Sequence, residues 1–182
     1  APARLTLRLT AKTDAPTLMN LANHSYWNLD GSADIAGHRL RIAADRYTPV
    51  DDRTLPTGTA DVAGTAFDLR QGVTLRTQPT FDTNFCLSPA RRPLTEVAEL
   101  TGAKGISLAL ATTEPGLQVY DAATKRTAPF AGHSGVPYGP FAGVALEPQV
   151  WPEAPTRSDF PSVALAPGET YDQTTCFTFS RP

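Results

Sequence analysis

Apolar and polar residues alternate in short runs along this chain, and Gly or Pro keeps ending the runs. Leu5, Leu7 and Leu9 alternate with Thr6, Arg8 and Thr10. Alternation or a short apolar run returns at 38–42, 106–110, 116–120, 143–148 and 175–179. A period of two puts successive side chains on opposite faces of a strand, whereas a helix needs a repeat of three to four. The 13 glycines and 17 prolines are spread throughout, not pooled into one linker, so they interrupt helices everywhere. Leu94–Leu100 has the only passable helical pattern, and it is short and weakly capped. Many short strands joined by turns imply an all-β fold, an antiparallel sandwich or barrel. No repeat or low-complexity tract divides residues 1–182, which read as a single domain.

Composition removes several classes of function. The net charge is −2 with no basic run, which argues against a nucleic-acid partner. No apolar stretch approaches the roughly 20 residues that span a bilayer. No secretory leader is visible, so the expected location is cytoplasmic. Cys86 and Cys176 stand far apart; two reduced, buried thiols are expected, with a disulfide as the alternative. The three histidines are scattered, no Cys pair has metal-ligand spacing, and no glycine-rich phosphate loop exists. The expectation is chemistry without a metal or cofactor.

The densest chemistry lies in Asn20-Leu-Ala-Asn-His-Ser-Tyr-Trp-Asn-Leu29. His24 sits there among amides, a hydroxyl and two aromatics, and it is the side chain that exchanges a proton near neutral pH. Tyr26 and Trp27 offer flat apolar faces with polar tips. Asn23-His-Ser25 also fits the N-glycosylation pattern, which carries little weight inside a suspected site. The other histidines lack such company. His38 follows Gly37 on an alternating strand and is expected at the surface. His133 lies in the loop Gly132-His-Ser-Gly135, which lacks the Gly-x-Ser-x-Gly spacing of a nucleophile turn. Glu147 interrupts the apolar run Val144-Ala-Leu-Glu-Pro148; a carboxylate there is costly unless chemistry needs it, and burial makes it a better base. Asp82, in Phe81-Asp-Thr-Asn-Phe85, and Gln118, in Gly116-Leu-Gln-Val-Tyr120, read by default as a turn former and a surface strand residue. In the company of His24 and Glu147 they read as partners for sugar hydroxyls.

Asn23-His-Ser-Tyr-Trp-Asn-Leu29 resembles the Asn-His-x-Tyr-Phe-Asn-Leu segment of the aldose 1-epimerases. The resemblance continues in order through Ala44–Asp51, Leu55–Gly58, Phe67–Arg70, Phe81–Phe85, Thr112–Tyr120 and Ala145–Pro155. It implies a large antiparallel β-sandwich that interconverts the α and β anomers of a free hexose such as galactose or glucose. By position, Glu147 is similar to the family's base and His24 to the acid that protonates the ring oxygen. Asp82 and Gln118 are similar to residues that hold sugar hydroxyls, and the Asn23–Leu29 segment, with Asn23 and Tyr26, to one wall of the pocket. Trp27 stands where Phe is usual, and Thr156 where Asn is usual. Family members carry further N-terminal strands with an Arg and a second His, for which this sequence has no counterpart. The expectation is that another polypeptide supplies them or that they have been removed, and that without them open edges and apolar faces remain. Two alternatives stand beside the epimerase: a non-catalytic carbohydrate-binding module on the same scaffold, and a hexose-phosphate epimerase. The last would need basic residues at the pocket mouth, with Arg39, Arg41, Arg46 and Arg53 as candidates.

Overall fold

The computed structural model describes residues 2–181. Its fourteen strands are β1 (Ala3–Ala11), β2 (Thr17–Leu18), β3 (Tyr26–Trp27), β4 (Arg39–Ile42), β5 (Arg46–Thr48), β6 (Ala60–Asp61) and β7 (Val73–Thr74). They continue with β8 (Asp82–Cys86), β9 (Thr95–Thr101), β10 (Ser107–Thr112), β11 (Gly116–Tyr120), β12 (Val144–Gln149), β13 (Ala164–Leu165) and β14 (Tyr171–Ser180). Each alternating run of the sequence forms a strand. The Leu94–Leu100 segment does too: it is β9, a central strand paired with β4 and β10, so sheet contacts override its weak helical pattern.

Two six-stranded antiparallel sheets make up the fold, ordered β1-β14-β10-β9-β4-β7 and β3-β12-β11-β8-β5-β6, with β2 and β13 as a small extra pair. One core joins them. Leu40, Leu100, Leu108, Leu110 and Phe177 of the first sheet pack with Phe85, Leu117, Val119, Val144 and Leu146 of the second, all at 0–1% exposure. A fully buried Leu or Phe contributes roughly 1.5–3 kcal/mol, so this layer holds the sandwich together. Toward the edge strand β1 the cover thins, and Leu5 is 43% exposed although its register partner Phe177 is buried.

Three expectations are corrected here. His38 is not at the surface but wholly buried. It shares the phase of Leu40 and Ile42, which face inward. Its Nδ1 faces the Ile35 carbonyl at 3.1 Å, and its Nε2 accepts from the Leu29 amide at 3.0 Å. Trp27 lines no pocket wall. One residue after Tyr26, it points to the opposite face and packs on Phe177 and Phe179, with ring centroids 4.9 and 5.6 Å away. Of the two cysteines, both free, only Cys176 is buried. Cys86 is half-buried, and desolvation pushes its thiol up to about 12, so it stays protonated.

Candidate active site

The site lies on the face of the second sheet that turns away from the core. Register alone assembles it. Gln118 of β11 stands opposite Glu147 of β12 and Asn84 of β8, while Tyr120 stands opposite Asp82 and Ala145, and Ala145 opposite Tyr26. Two adjacent rows of side chains result, Tyr26–Ala145–Tyr120–Asp82 and Glu147–Gln118–Asn84, crossing four strands on one face.

His24 enters from outside the ladder. Strand β3 pairs only through Trp27 with Val144 and Tyr26 with Ala145. Carried two residues outward, that register brings His24 opposite Glu147. Its Nε2 lies 3.4 Å from Glu147 Oε1. The two differ in freedom: the His24 side chain is 52% exposed and the Glu147 side chain 9%. Asn23 bends the approach, its Oδ1 accepting the Ser25 amide at 3.3 Å. The His24 ring stacks at a tilt on Tyr26 with centroids 5.1 Å apart and meets Tyr120 edge-on at 6.4 Å.

Burial raises the Glu147 carboxyl above the usual carboxylate range; His24 pulls it back down and Asp82 pushes it up. The Tyr26 phenol is also raised, first by burial and then by Tyr120, Glu147 and Asp82. Asp82 is itself engaged, accepting a hydrogen bond from Gln118 Nε2 at 2.7 Å. His24, Glu147, Asp82, Gln118 and Tyr26, five of the six residues singled out from sequence, therefore share one patch, and Asn23 shapes the loop beside it. No cluster of His, Cys, Asp and Glu able to hold a metal occurs among the described residues.

Two members of the patch escape a reading by residue type. Tyr120 closes its aromatic wall. Asn84 is 1% exposed, and neither its Nδ2 nor its Oδ1 has a partner among the described residues; Gln118 Oε1 beside it is likewise unpaired. Space for Asn84 comes from Gly116, where a Cβ would lie 2.6 Å from Asn84 Oδ1 and 2.8 Å from the Trp151 ring. Strand phase was the available signal, since Asn84 shares it with Asp82 and Tyr120 with Gln118. The arginines considered for a phosphate are all engaged: Arg41 lies 3.8 Å from Glu99, Arg46 3.5 Å from Asp61, Arg53 3.6 Å from Asp51, and Arg39 donates to the Gln71 carbonyl.

The family profile for aldose 1-epimerase matches residues 2–178. The chain belongs to the aldose 1-epimerase family. Galactose mutarotases of Rattus norvegicus and Homo sapiens are 41% and 40% identical to it over 97% of its length, and aldose 1-epimerase of Escherichia coli is 32% identical. The chain spans about half the length of these relatives, 54–55%. A crystal structure of an aldose epimerase homologue from C. elegans superposes with a TM-score of 0.89 at 32% identity, covering 98% of this chain and 56% of that one. Galactose 1-epimerase of Lactobacillus acidophilus gives 0.76 at 27% identity over 98% of this chain and 53% of that one. The mutarotase-like β-sandwich is thus the fold of this family member. Among the described residues no helix is long and apolar enough to cross a membrane.

Proposed function

We propose that this chain carries the acid–base pair of an aldose 1-epimerase acting on a free hexose such as galactose or glucose. The observation that carries the reading is the 3.4 Å pairing of a buried carboxylate with an exposed imidazole beside hydrogen-bonding and aromatic side chains. Anomer exchange needs two proton transfers at oxygens bonded to one carbon, so its acid and base must converge on that carbon from neighbouring positions. Glu147 takes the proton of the anomeric hydroxyl while protonated His24 delivers one to the ring oxygen. The bond from C1 to the ring oxygen breaks and the C1 aldehyde forms. After rotation about C1–C2 the hydroxyl attacks the other carbonyl face, His24 takes its proton back, and Glu147 returns one to O1. Each transfer typically contributes 10²–10⁴-fold. The imidazole, the more exposed partner, is the one with room to swing aside for the sugar.

Asp82 and Gln118 read as hydroxyl partners, already mutually oriented by their hydrogen bond. Tyr26 and Tyr120 read as the apolar wall, and Asn23 as the residue that presents His24. The family resemblance adds an Arg and a second His from further strands. Polarimetry on freshly dissolved α-galactose tests the function. Accelerated mutarotation is expected, with almost none for Glu147→Gln; sugar binding by calorimetry with no acceleration would select the binding-module reading instead.

A further inference from the structure

The segment that brings His24 to Glu147 has almost no ladder of its own. Strand β2 ends at Leu18 and β3 begins at Tyr26, and His24 lies on the irregular stretch between them. Something else must fix that stretch, because an imidazole held only by its own side chain would not keep one geometry. The contacts come from Tyr171 of β14, a strand of the opposite sheet, and from the backbone of Val150 and Val163. Tyr171 and Gln173 are both 2% exposed and, two residues apart, point the same way. The Tyr171 hydroxyl accepts the Leu21 amide at 3.2 Å and faces Leu21 O and Gln173 Oε1, both at 3.4 Å. Gln173 Nε2 donates to the Pro148 carbonyl at 2.7 Å, directly after Glu147. An outer clasp ties the same two segments: Asn20 Nδ2 donates to Val150 O at 3.0 Å, and its Oδ1 accepts Val150 N at 2.9 Å.

Tyr171 is fixed in turn. The Arg91 guanidinium lies 4.3 Å from the centre of its ring, and Arg91 is held by the fully buried Glu114 through two hydrogen bonds of 2.8 and 3.2 Å. A cation held on an aromatic face by a buried carboxylate leaves the ring little freedom.

We propose that Tyr171 and Gln173 are positioning residues that set the distance between His24 and Glu147, Tyr171 by holding Leu21 and Gln173 by holding Pro148. The inference rests on His24 and Glu147 acting as a pair. Neither residue need touch a sugar; a small displacement of either segment separates the proton donor from the acceptor, and about 1 Å of misplacement is enough to slow a reaction some 100-fold.

Tyr171→Phe tests this, since it removes one oxygen and keeps the ring under Arg91. The measurement is the titration of the Glu147 carboxyl by carbon NMR. The charged and titratable groups facing Glu147 are His24 on the approach segment, Tyr26 on β3, Tyr120 on β11 and Asp82 on β8. Of these His24 alone pulls the carboxyl down. His24→Gln, the reference variant, is expected to move the Glu147 midpoint upward, and Tyr171→Phe to move it the same way with the fold intact by melting temperature. In polarimetry Tyr171→Phe is expected to lower kcat about 10- to 100-fold and to leave KM within about twofold, since the sugar contacts remain. A midpoint that responds to His24→Gln but not to Tyr171→Phe overturns the positioning role and leaves the pair standing. A midpoint deaf to both overturns the pair and the positioning role together. If Tyr171→Phe does not fold, Gln173→Met, of similar volume, is read in the same way.

Discussion

On one face of β12, β11 and β8, Leu146, Val119, Leu117 and Phe85 pack at 0–1% exposure. On the other face of the same strands stand Glu147, Gln118, Asn84 and Asp82. Backbone, strand order and neighbours are identical; only the phase of the alternation differs. The inner face is satisfied by its contacts. The outer face is not: Glu147 is held away from its ordinary titration range, and three amide atoms of Asn84 and Gln118 have no partner among the described residues. Unsatisfied buried groups lower stability, and a well-packed core on the reverse side offsets that loss.

That division can be broken in order of effect. Glu147→Gln should reduce mutarotation about 10²–10⁴-fold while melting and circular dichroism stay native; a variant that turns over normally would empty the outer face of its role. Leu117→Ala, next in the same strand to Gln118, should do the reverse. It should lower stability by about 2–5 kcal/mol in chemical denaturation, with activity per folded molecule retained. Asp82→Asn should sharpen the electrostatic side. Asp82 raises the Glu147 carboxyl, and the proposed base works ionised, so the acid limb of kcat should move to lower pH when that charge is removed. Its KM should rise by up to about tenfold, one hydroxyl partner being weakened. Smallest is the stability of Glu147→Gln. Folding raises this carboxyl, so its contribution is fully present below the unfolded value and is lost as pH rises through the folded one. Near neutral pH the Gln variant should therefore be more stable by about 0.5–1 kcal/mol, an advantage that vanishes in acid.

Much of the fold was legible because alternation is a local signal. Every run read as a strand is one, and Tyr26 and Trp27 show how strictly phase then applies: adjacent aromatics go to opposite faces, one to the pocket and one to the core. Where sequence and structure differ, the cause is the same. The neighbours Gly37 and Arg39 point His38 outward, but its phase with Leu40 and Ile42 places it inside. The β9 segment has a weak helical pattern of its own, but pairing with β4 and β10 makes it a strand. Glu147 and His24 stood out because a carboxylate in an apolar run and a histidine among amides are chemically anomalous. Asn84 and Tyr120 did not, since nothing about an Asn or a Tyr in a strand is unusual until its partners across the sheet are known.

The sequence by itself determined the all-β class, the residues able to carry proton transfer, and which side chains of each strand share a face, because all three depend on residue type and a period of two. Tertiary structure alone decided which strands are neighbours. That choice places His24 against Glu147 across more than a hundred residues, pairs Gln118 with Asp82, and brings Tyr171 and Gln173 of the opposite sheet to the backbone that holds the pair. Pairing over such separations rests on burial and hydrogen-bond geometry summed over the whole sandwich, and no local stretch of sequence encodes it.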